Sequence, residues 1–328
     1  MSRNQSLVDI GGPLKEPQEG PHEGPHGDPV EARPGLPEPA DGTGKQPGRG
    51  RRTGLRRTGR FLLRRPGLLL SGIVVVLVVL ASFRPGLFTS RDPLKGVPAE
   101  NFRGPSGAHW FGTDELGRDV FARVVHGAQL SLKATLIAVL VAFVVGGLLG
   151  VVAGFVGRWV DDVLMRFVDV LLAIPALFLS LALVTALGYG TVKVAVAVGV
   201  ASVASFARVA RAEVLRVRQA VFVEASRSCG ARWYSVLGRH VLPNAAGPVI
   251  VLATLDFGAS ILAVSALSFL GYGAPPPAPE WGTLISDGRN YLANAWWLTA
   301  LPGLAIAATV LATNRIARAL DGEWAGQR

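Results

Sequence analysis

Two short motifs near the amino terminus have residue types and spacing that could carry chemistry. The letters H-E-G-P-H at residues 22–26 match the H-E-x-x-H zinc motif, which works only when a helix brings both imidazoles to one face. The glycine and proline inside the motif oppose that helix. The letters G-T-G-K-Q at residues 42–46 are similar to a phosphate-binding loop but lack the Ser or Thr after the lysine and a preceding strand. We therefore expect no metal site, no cofactor and no catalytic site in this chain.

Two carboxylates lie within long apolar stretches, where a charge is costly. Asp256 falls near the middle of such a stretch, so it should face either a water-filled path or a polar partner on another helix. The sequence leaves both alternatives open. Asp169 follows Arg166 by three residues, and an i, i+3 ion pair is the simpler account of it.

The composition is typical of a membrane protein. Half of the 328 residues are hydrophobic and 17% are charged, whereas soluble proteins carry about a quarter charged residues. The basic residues behind the net charge of +10 lie between apolar segments rather than on one face of a core, so we expect membrane lipid and no nucleic acid as a partner. The single cysteine, Cys229, excludes an internal disulfide. Residues 1–60, rich in Pro, Gly, Glu and Arg, are expected to form a disordered tail.

Six apolar segments can cross a bilayer, for which a helix needs about 20 residues. They predict an all-α, polytopic integral membrane protein with six transmembrane helices and both termini on one side. The fourth segment is short, and we expect it to begin near Thr191 and to continue as a helix through Arg208 and Arg211. The predicted spans are 67–83, 134–157, 163–187, 194–207, 246–270 and 291–314.

Two basic clusters set the expected orientation. Residues 51–66 hold seven arginines ahead of the first span, and the loop 208–245 holds seven more. Because cytoplasmic segments near span ends are enriched in Arg and Lys, both clusters place these segments and both termini in the cytoplasm. The loop 89–133 then lies outside although it carries six basic residues, a conflict that two agreeing clusters outweigh because long loops translocate with less regard for charge.

The outer loop ends in a segment with helical spacing of apolar residues. The apolar positions are Val120, Phe121, Val124, Val125, Ala128 and Leu132. Asp119, Arg123 and His126 lie between them. The pattern predicts an amphipathic helix on the membrane surface that leads into the second span, with His126 as an interfacial polar residue rather than a ligand.

A polar, basic stretch at residues 224–244 separates two apolar runs and reads E-A-S-R-S-C-G-A-R-W-Y-S-V-L-G-R-H-V-L-P-N. A helix-compatible run ends at Gly230, whose free φ permits a sharp turn. Residues 231–240 suit a second short helix, which Pro243 should end, and Pro248 can start or kink the next span. The second helix has an apolar edge and two arginines, namely Trp233, Val236, Leu237, Arg232 and Arg239. On these residues alone, the stretch is either a helix that docks in a partner's groove or an ordinary basic loop.

Three motifs, taken together, resemble the dipeptide/oligopeptide/nickel permease family of binding-protein-dependent ABC importers. Residues 224–244 are similar to the E-A-A…G…L-P signature of these permeases. Residues 111–132 resemble the extracytoplasmic segment of the family, and residues 267–292 resemble its segment between the last two spans. Ser226 stands in place of the usual second alanine, and Cys229 in place of a usual aliphatic residue.

The resemblance implies a type I ABC importer permease fold and a non-catalytic transport subunit. A second permease subunit would complete the path, two cytoplasmic ATPase subunits would bind ATP and Mg, and an extracytoplasmic substrate-binding protein would deliver a dipeptide, an oligopeptide, nickel or a related solute. Glu224 would be a charged anchor or a helix cap, Gly230 the bend, and Asp256 a carboxylate on the path that suits a peptide's amino terminus. The residues implied in coupling to the ATPase are Glu224, Ala225, Ser226, Gly230, Ala231, Arg232, Arg239 and Pro243.

The expected organisation follows from the spans and the resemblance. We expect a cytoplasmic tail at 1–60, the first span with an extracytoplasmic loop at 61–133, a permease core with five spans and the coupling loop 208–245 at 134–320, and a cytoplasmic tail at 321–328. One alternative is an ion-driven secondary carrier with Asp256 and Asp169 as relay groups, and another is a membrane scaffold. The carrier alternative leaves residues 224–243 without a role.

Overall fold

A computed structural model describes residues 66–325, with side chains up to residue 321, and the regular secondary structure of these residues is helical apart from two isolated β-bridges. The predicted disordered tail, the motifs at 22–26 and 42–46, and the basic cluster at 51–65 lie outside the described residues, as do residues 326–328.

The helices follow one another in chain order. They are α1 Pro66–Phe83, α2 Val120–Val141, α3 Gly147–Val156, α4 Arg158–Ala173, α5 Ala176–Leu187, α6 Thr191–Arg218, α7 Val221–Ser228, α8 Trp233–Val236, α9 Leu242–Phe269, α10 Trp281–Gly288 and α11 Trp297–Ala325. Two π-helical segments, Ala142–Gly146 and Leu237–Val241, join α2 to α3 and α8 to α9 without a break. Single 3-10 turns occur at Pro85–Leu87, Pro98–Glu100 and Arg289–Tyr291.

Five continuous helical segments between residues 66 and 325 are long and apolar enough to cross a membrane: α1, α2–α3, α6, α8–α9 and α11. The predicted third span is instead divided into α4 and α5, whose axes differ by 94°. The break has a local cause, because Pro175 lacks an N–H and disfavours helical backbone in the residue before it. Ile174 accordingly adopts extended angles, with φ −95° and ψ 127°.

Contacts at both ends of α6 decide whether α4 and α5 together cross the bundle. Arg218, at the end of α6, donates from Nη1 to the carbonyl oxygen of Gly154 in α3 at 3.2 Å. Gly190, just before α6, donates its N–H to the carbonyl oxygen of Tyr272 after α9 at 3.0 Å. Since the 28 residues of α6 separate these contacts by about 40 Å, α4 and α5 run from one end of the bundle to the other. Counted as one broken crossing, the pair brings the candidate crossings between residues 66 and 325 to six.

The helix α6 is the centre of the bundle and packs against α2, α3, α5 and α9. Three glycines spaced four residues apart face it, one at the end of the π-helical segment before α3 and two in α3, namely Gly146, Gly150 and Gly154. A Cβ on Gly146 would lie 2.5 Å from the carbonyl oxygen of Val203, and one on Gly154 would lie 3.0 Å from that of Arg211. Small residues therefore let the two backbones approach closely, as is typical of helices packed within membranes.

The start of α2 is not the membrane-surface helix that the sequence predicts. Asp119 caps α2 by accepting the N–H of Ala122 at 2.8 Å, and Arg123 is 4% exposed and paired with Asp114. Trp281 of α10 covers this turn and donates from Nε1 to the carbonyl oxygen of Val124 at 2.8 Å. The prediction failed because ion pairing, which spacing does not reveal, allows polar residues to be buried.

Candidate functional site: the hairpin of α7 and α8

The hairpin comprises α7, the turn at residues 229–232 and α8, and it follows the end of α6. Ala220 has extended backbone angles, which redirects the chain between α6 and α7. Val223 is the one fully buried residue of α7 and packs into an apolar cluster with α6, α8 and α9. The other buried members of that cluster are Val214, Val217, Val236, Val241 and Ala245. Apolar packing therefore fixes the position of α7 on the bundle.

The predicted bend at Gly230 is present. Gly230 has a φ of +79°, a conformation that glycine adopts without strain. Its N–H donates to the carbonyl oxygen of Arg227 at 2.9 Å, and the N–H of Ala231 donates to that of Ser226 at 3.1 Å. This pair of bonds is a complete Schellman motif, which satisfies the last carbonyls of α7 and reverses the chain.

The second half of the hairpin differs from the prediction, because Pro243 does not end a helix. Residues 233–269 are continuously helical through α8, the π-helical segment and α9. Pro243 lies inside this continuous helix, two residues after the π-helical segment, and Pro248 lies one turn further on. The turn of the hairpin is thus attached directly to a spanning helix rather than to a separate loop.

The residues predicted for coupling lie mostly on the surface of the hairpin. Glu224, Ala225, Gly230, Arg232, Arg239 and Pro243 are exposed, whereas Ser226 and Ala231 are half-buried. Glu224 makes no capping hydrogen bond, since the cap residue of α7 is Ala220. The residues of the predicted apolar edge do not share one environment, because Val236 is buried while Trp233 is 68% exposed.

Four large apolar side chains are exposed on the hairpin, namely Val221, Phe222, Trp233 and Tyr234. Several exposed large apolar residues on one small element indicate a surface that another protein covers. A depression of about 610 Å³ where α7 meets the end of α6 is lined by Leu215, Arg218, Gln219, Glu224 and Arg227. The hairpin therefore presents exposed apolar side chains as well as a polar, charged depression.

Two arginines near this depression lie against the end of α3. Arg218, the last residue of α6, donates to the carbonyl oxygen of Gly154, as described above, and the guanidinium of Arg227 in α7 lies 5.9 Å from the ring centroid of Phe155. The ring of Phe155 in turn lies 6.4 Å from that of Trp233. The end of α3 is therefore in contact with both α6 and the hairpin. Sequence reasoning did not single out Arg218, Arg227 or Phe155.

Asp256 lies between two spanning helices. Its Oδ1 accepts from the hydroxyl of Ser202 in α6 at 3.1 Å, and its Oδ2 accepts from the hydroxyl of Ser260 in α9 at 3.1 Å. The side chain is half-buried, and among the described residues no cation pairs with it. The polar partner on another helix is therefore present, and the remaining exposure leaves one side of the carboxylate open.

The predicted pairing of Asp169 with Arg166 is wrong. Asp169 accepts from Nη2 of Arg208 in α6 at 2.6 Å, and both side chains are well exposed. A second ion pair, between Asp161 and Arg211, joins the same two helices. The prediction failed because α4 lies along α6, so a residue distant in sequence is the nearer partner.

Comparison with known proteins identifies the family. Residues 146–325 match the family described as binding-protein-dependent transport system inner membrane component. The dipeptide transport system permease protein DppC of Alkalihalophilus pseudofirmus is 39% identical over 256 residues, which cover 77% of this chain and 84% of the relative. The probable D,D-dipeptide transport system permease protein DdpC of Escherichia coli K12 is 40% identical, with 74% and 81% covered. The glutathione transport system permease protein GsiD of Pectobacterium atrosepticum is 38% identical, with 80% and 88% covered.

The chain belongs to this family of inner membrane components and is a permease subunit of an ABC importer of the dipeptide/oligopeptide type. This result confirms the resemblance inferred from the three motifs. It also confirms the predicted fold class, a polytopic all-α permease embedded in the membrane.

Proposed function

We propose that this chain forms half of the path of an ATP-driven peptide importer and that the hairpin of α7 and α8 docks on a partner ATPase. The observation that carries the proposal is the set of exposed apolar side chains on a hairpin that continues directly into the spanning helix α9. The proteins it resembles are named for dipeptides, D,D-dipeptides and glutathione, which favours peptides over nickel as the solute.

In the proposed mechanism, closure of the ATPase subunits on ATP moves the hairpin, and the attached helices tilt. Because α8 and α9 form one continuous helix, force on the turn at Gly230 acts on α9 without an intervening flexible loop. The contact of Arg227 with Phe155 carries the same displacement to α3, which the bond from Arg218 to Gly154 links to α6. Glu224 serves as the charged anchor, while the exposed Arg239 and Arg232, the latter already bonded to the Tyr234 hydroxyl at 2.8 Å, pair with acidic groups of the ATPase.

Other subunits complete the path, bind ATP and deliver the substrate. We propose a second permease subunit as the other half of the path, two ATPase subunits that bind ATP and Mg, and a binding protein that delivers substrate. The end of the bundle that carries α7 then faces the cytoplasm together with both termini, and the end that carries α10 faces outward.

Asp256 is proposed to line the path. The carboxylate lies between α6 and α9, the two spanning helices whose ends meet at the hairpin, so movement of the hairpin changes its surroundings. Its bonds to Ser202 and Ser260 hold it in place, while its open side can attract the amino group of a passing peptide.

Isolation of the tagged chain with its bound subunits tests the docking role. We expect Glu224→Lys and Gly230→Pro to lower the ATP hydrolysis that co-purifies with the chain by about tenfold or more, because each removes contacts worth at least 1.4 kcal/mol. Asp321→Lys is the matched control, since Asp321 is an exposed acid at the same end of the bundle, outside the hairpin. Undiminished ATP hydrolysis in both hairpin variants would refute the docking role.

A further inference from the structure

A cavity of about 500 Å³ opens at the end of the bundle that carries α10, opposite the hairpin. Its walls come from the loop before α2, the turn between α5 and α6, the loop after α9, and α10 itself. Tyr189 and residues 275–277, three consecutive prolines, form an apolar rim, and Arg118, Arg123 and Asp287 supply charge. A volume of this size lies within the range of about 300–1,000 Å³ that is typical of small-molecule sites.

Most charged groups of the cavity wall already have close partners. Arg118 donates from Nε to Asp114 at 2.7 Å and from Nη2 to Glu115 at 3.0 Å. Arg123 donates from Nη1 to Asp114 at 2.6 Å. Asp114, Arg118 and Arg123 are all buried, so this network is fixed and does not rearrange around a ligand without loss of stability.

Asp287 is the exception. Its nearest cationic atom is Nη2 of Arg123 at 3.7 Å, well beyond the 2.7–2.9 Å of a charge-assisted hydrogen bond, and its side chain is 44% exposed. It lies in the last turn of α10, where the partial negative charge of the helix terminus disfavours a carboxylate. Burial raises the pKa of Asp287, although Arg123 and Arg118 oppose that rise. Among the described residues no donor is hydrogen-bonded to this carboxylate, so its exposed side keeps acceptor capacity.

Arg123 faces this carboxylate at 3.7 Å, as an ion pair without a hydrogen bond. The guanidinium is only 4% exposed and is held by Asp114, and its Nε has no partner among the described residues. A group that enters from the cavity can reach Asp287 from its open side. The group that best fits a carboxylate with open acceptor capacity beside exposed aromatic and proline surface is an ammonium attached to a small organic molecule.

We propose that this cavity is an entry site in which Asp287 binds the amino terminus of a peptide before the peptide reaches the path. The proposal rests on the proposed function, since it takes peptides as the solute. Tyr189, whose ring stacks on that of Tyr272 with centroids 5.6 Å apart, offers a flat surface to the body of the peptide. A basic side chain of the binding protein is the competing occupant, but a concave cavity of this volume holds more than one side-chain tip.

Protection of a cysteine on the cavity rim tests the site directly. In a Cys229→Ser background, Ala278→Cys places a thiol among the lining residues. The full chain, isolated with its bound subunits in lipid nanodiscs, is treated with a maleimide in the presence of dialanine and without the binding protein. Bound dialanine should slow the labelling rate by a factor of 1 + L/Kd, where L is the free dialanine concentration. At a free dialanine concentration ten times its Kd, the rate should therefore fall about tenfold. N-acetyl-dialanine, which lacks the ammonium, should give no protection.

Variants identify the carboxylate responsible. Asp287→Asn should abolish protection by dialanine, whereas Asp287→Glu should retain it. Asp92→Asn is the matched control, because Asp92 is an exposed acid in the loop before α2 and does not line the cavity. Equal labelling rates of all variants without peptide verify that the cavity is intact.

Several outcomes would overturn the proposal. They are the absence of protection by dialanine, protection by N-acetyl-dialanine, or protection that survives Asp287→Asn. The result is independent of the docking experiment. A chain that co-purifies with ATPase activity but shows no protection retains the proposed function without this site, whereas protection in a chain without ATPase activity retains the site and refutes the importer.

Discussion

Ion pairs in this chain differ in how much water reaches them, and the difference decides their contribution to stability. The pair of Asp114 and Arg123 is nearly inaccessible, with 4% exposure of each side chain, whereas the pair of Asp169 and Arg208 has 61% and 59%. Loss of one partner from a buried pair leaves an uncompensated charge, while exposed partners are simply hydrated.

The first prediction compares one substitution at both pairs. Asp114→Asn should lower the free energy of unfolding by about 3–5 kcal/mol because Arg123 keeps a buried charge. Asp169→Asn should change it by less than about 1 kcal/mol. Denaturant unfolding of the detergent-solubilised chain measures both values, and equal losses would contradict the assignment of a buried network beside α10.

The charged carboxylate of Asp287 should lower the stability of the fold, whereas that of Asp114 raises it. Because burial raises its pKa above the ordinary value of about 3.9, the folded chain binds this proton more tightly than the unfolded chain does. The charged form therefore weakens the fold at neutral pH, and the contribution of this carboxyl to stability grows as pH falls through the raised pKa.

Asp287→Asn should accordingly leave the unfolding temperature at pH 7 equal to or above that of the wild type. Thermal unfolding at pH 7 and pH 5 measures this, and the advantage of the variant should shrink at the lower pH. A fall in unfolding temperature similar to that of Asp114→Asn would make Asp287 a structural partner of Arg123 instead of a ligand-binding group.

At the scale of elements, α7 depends on one buried side chain. Val223 is fully buried, whereas Val221, two residues earlier, is 81% exposed. Truncation of Val223 removes buried methyl groups worth about 0.8 kcal/mol each and leaves a cavity beneath α7.

Val223→Ala should speed amide hydrogen exchange in α7 by about tenfold or more, while exchange within α9 stays the same. Val221→Ala, the same truncation on the exposed face, is the control and should leave both rates unchanged. Hydrogen exchange followed by mass spectrometry resolves the two helices. If both variants have the same effect, the apolar cluster does not hold α7 in place.

Local features of the sequence predicted the elements better than their connections. The apolar segments predicted the crossings, and Gly230 predicted the bend, because both depend on residues close in the chain. The break at Ile174 has a local signal, Pro175, but the spans were predicted from the number of consecutive apolar residues, which ignores it. The partner of Asp169 and the burial of Arg123 had no such signal, since they depend on which helices pack together.

For the candidate site, too, the sequence predicted the position but not the connections to other helices. The signature at residues 224–244 located the hairpin, but its attachment to α3 and the continuity of α8 with α9 came only from the structure. The spacing of Gly146, Gly150 and Gly154 was available in the sequence as a sign that α3 packs closely on another helix.

On the scale of the whole molecule, the two ends of the bundle differ in chemistry. One end carries an exposed apolar hairpin, and the other carries a buried ionic network beside a cavity. The helices α6 and α9 connect them and hold Asp256 between them. This arrangement suits a transport subunit that takes up solute at one end and is moved by a partner protein at the other.

The labelling rate of Cys229 with a membrane-impermeant maleimide tests the central claim, that the hairpin is a cytoplasmic docking segment for an ATPase. Cys229 is the sole cysteine of the wild-type chain, is exposed and lies beside Gly230. It should remain unlabelled in intact cells, react rapidly in inside-out vesicles stripped of peripheral subunits, and react slowly once the ATPase subunits are added back. Labelling in intact cells, or the same rate with and without those subunits, would contradict the claim.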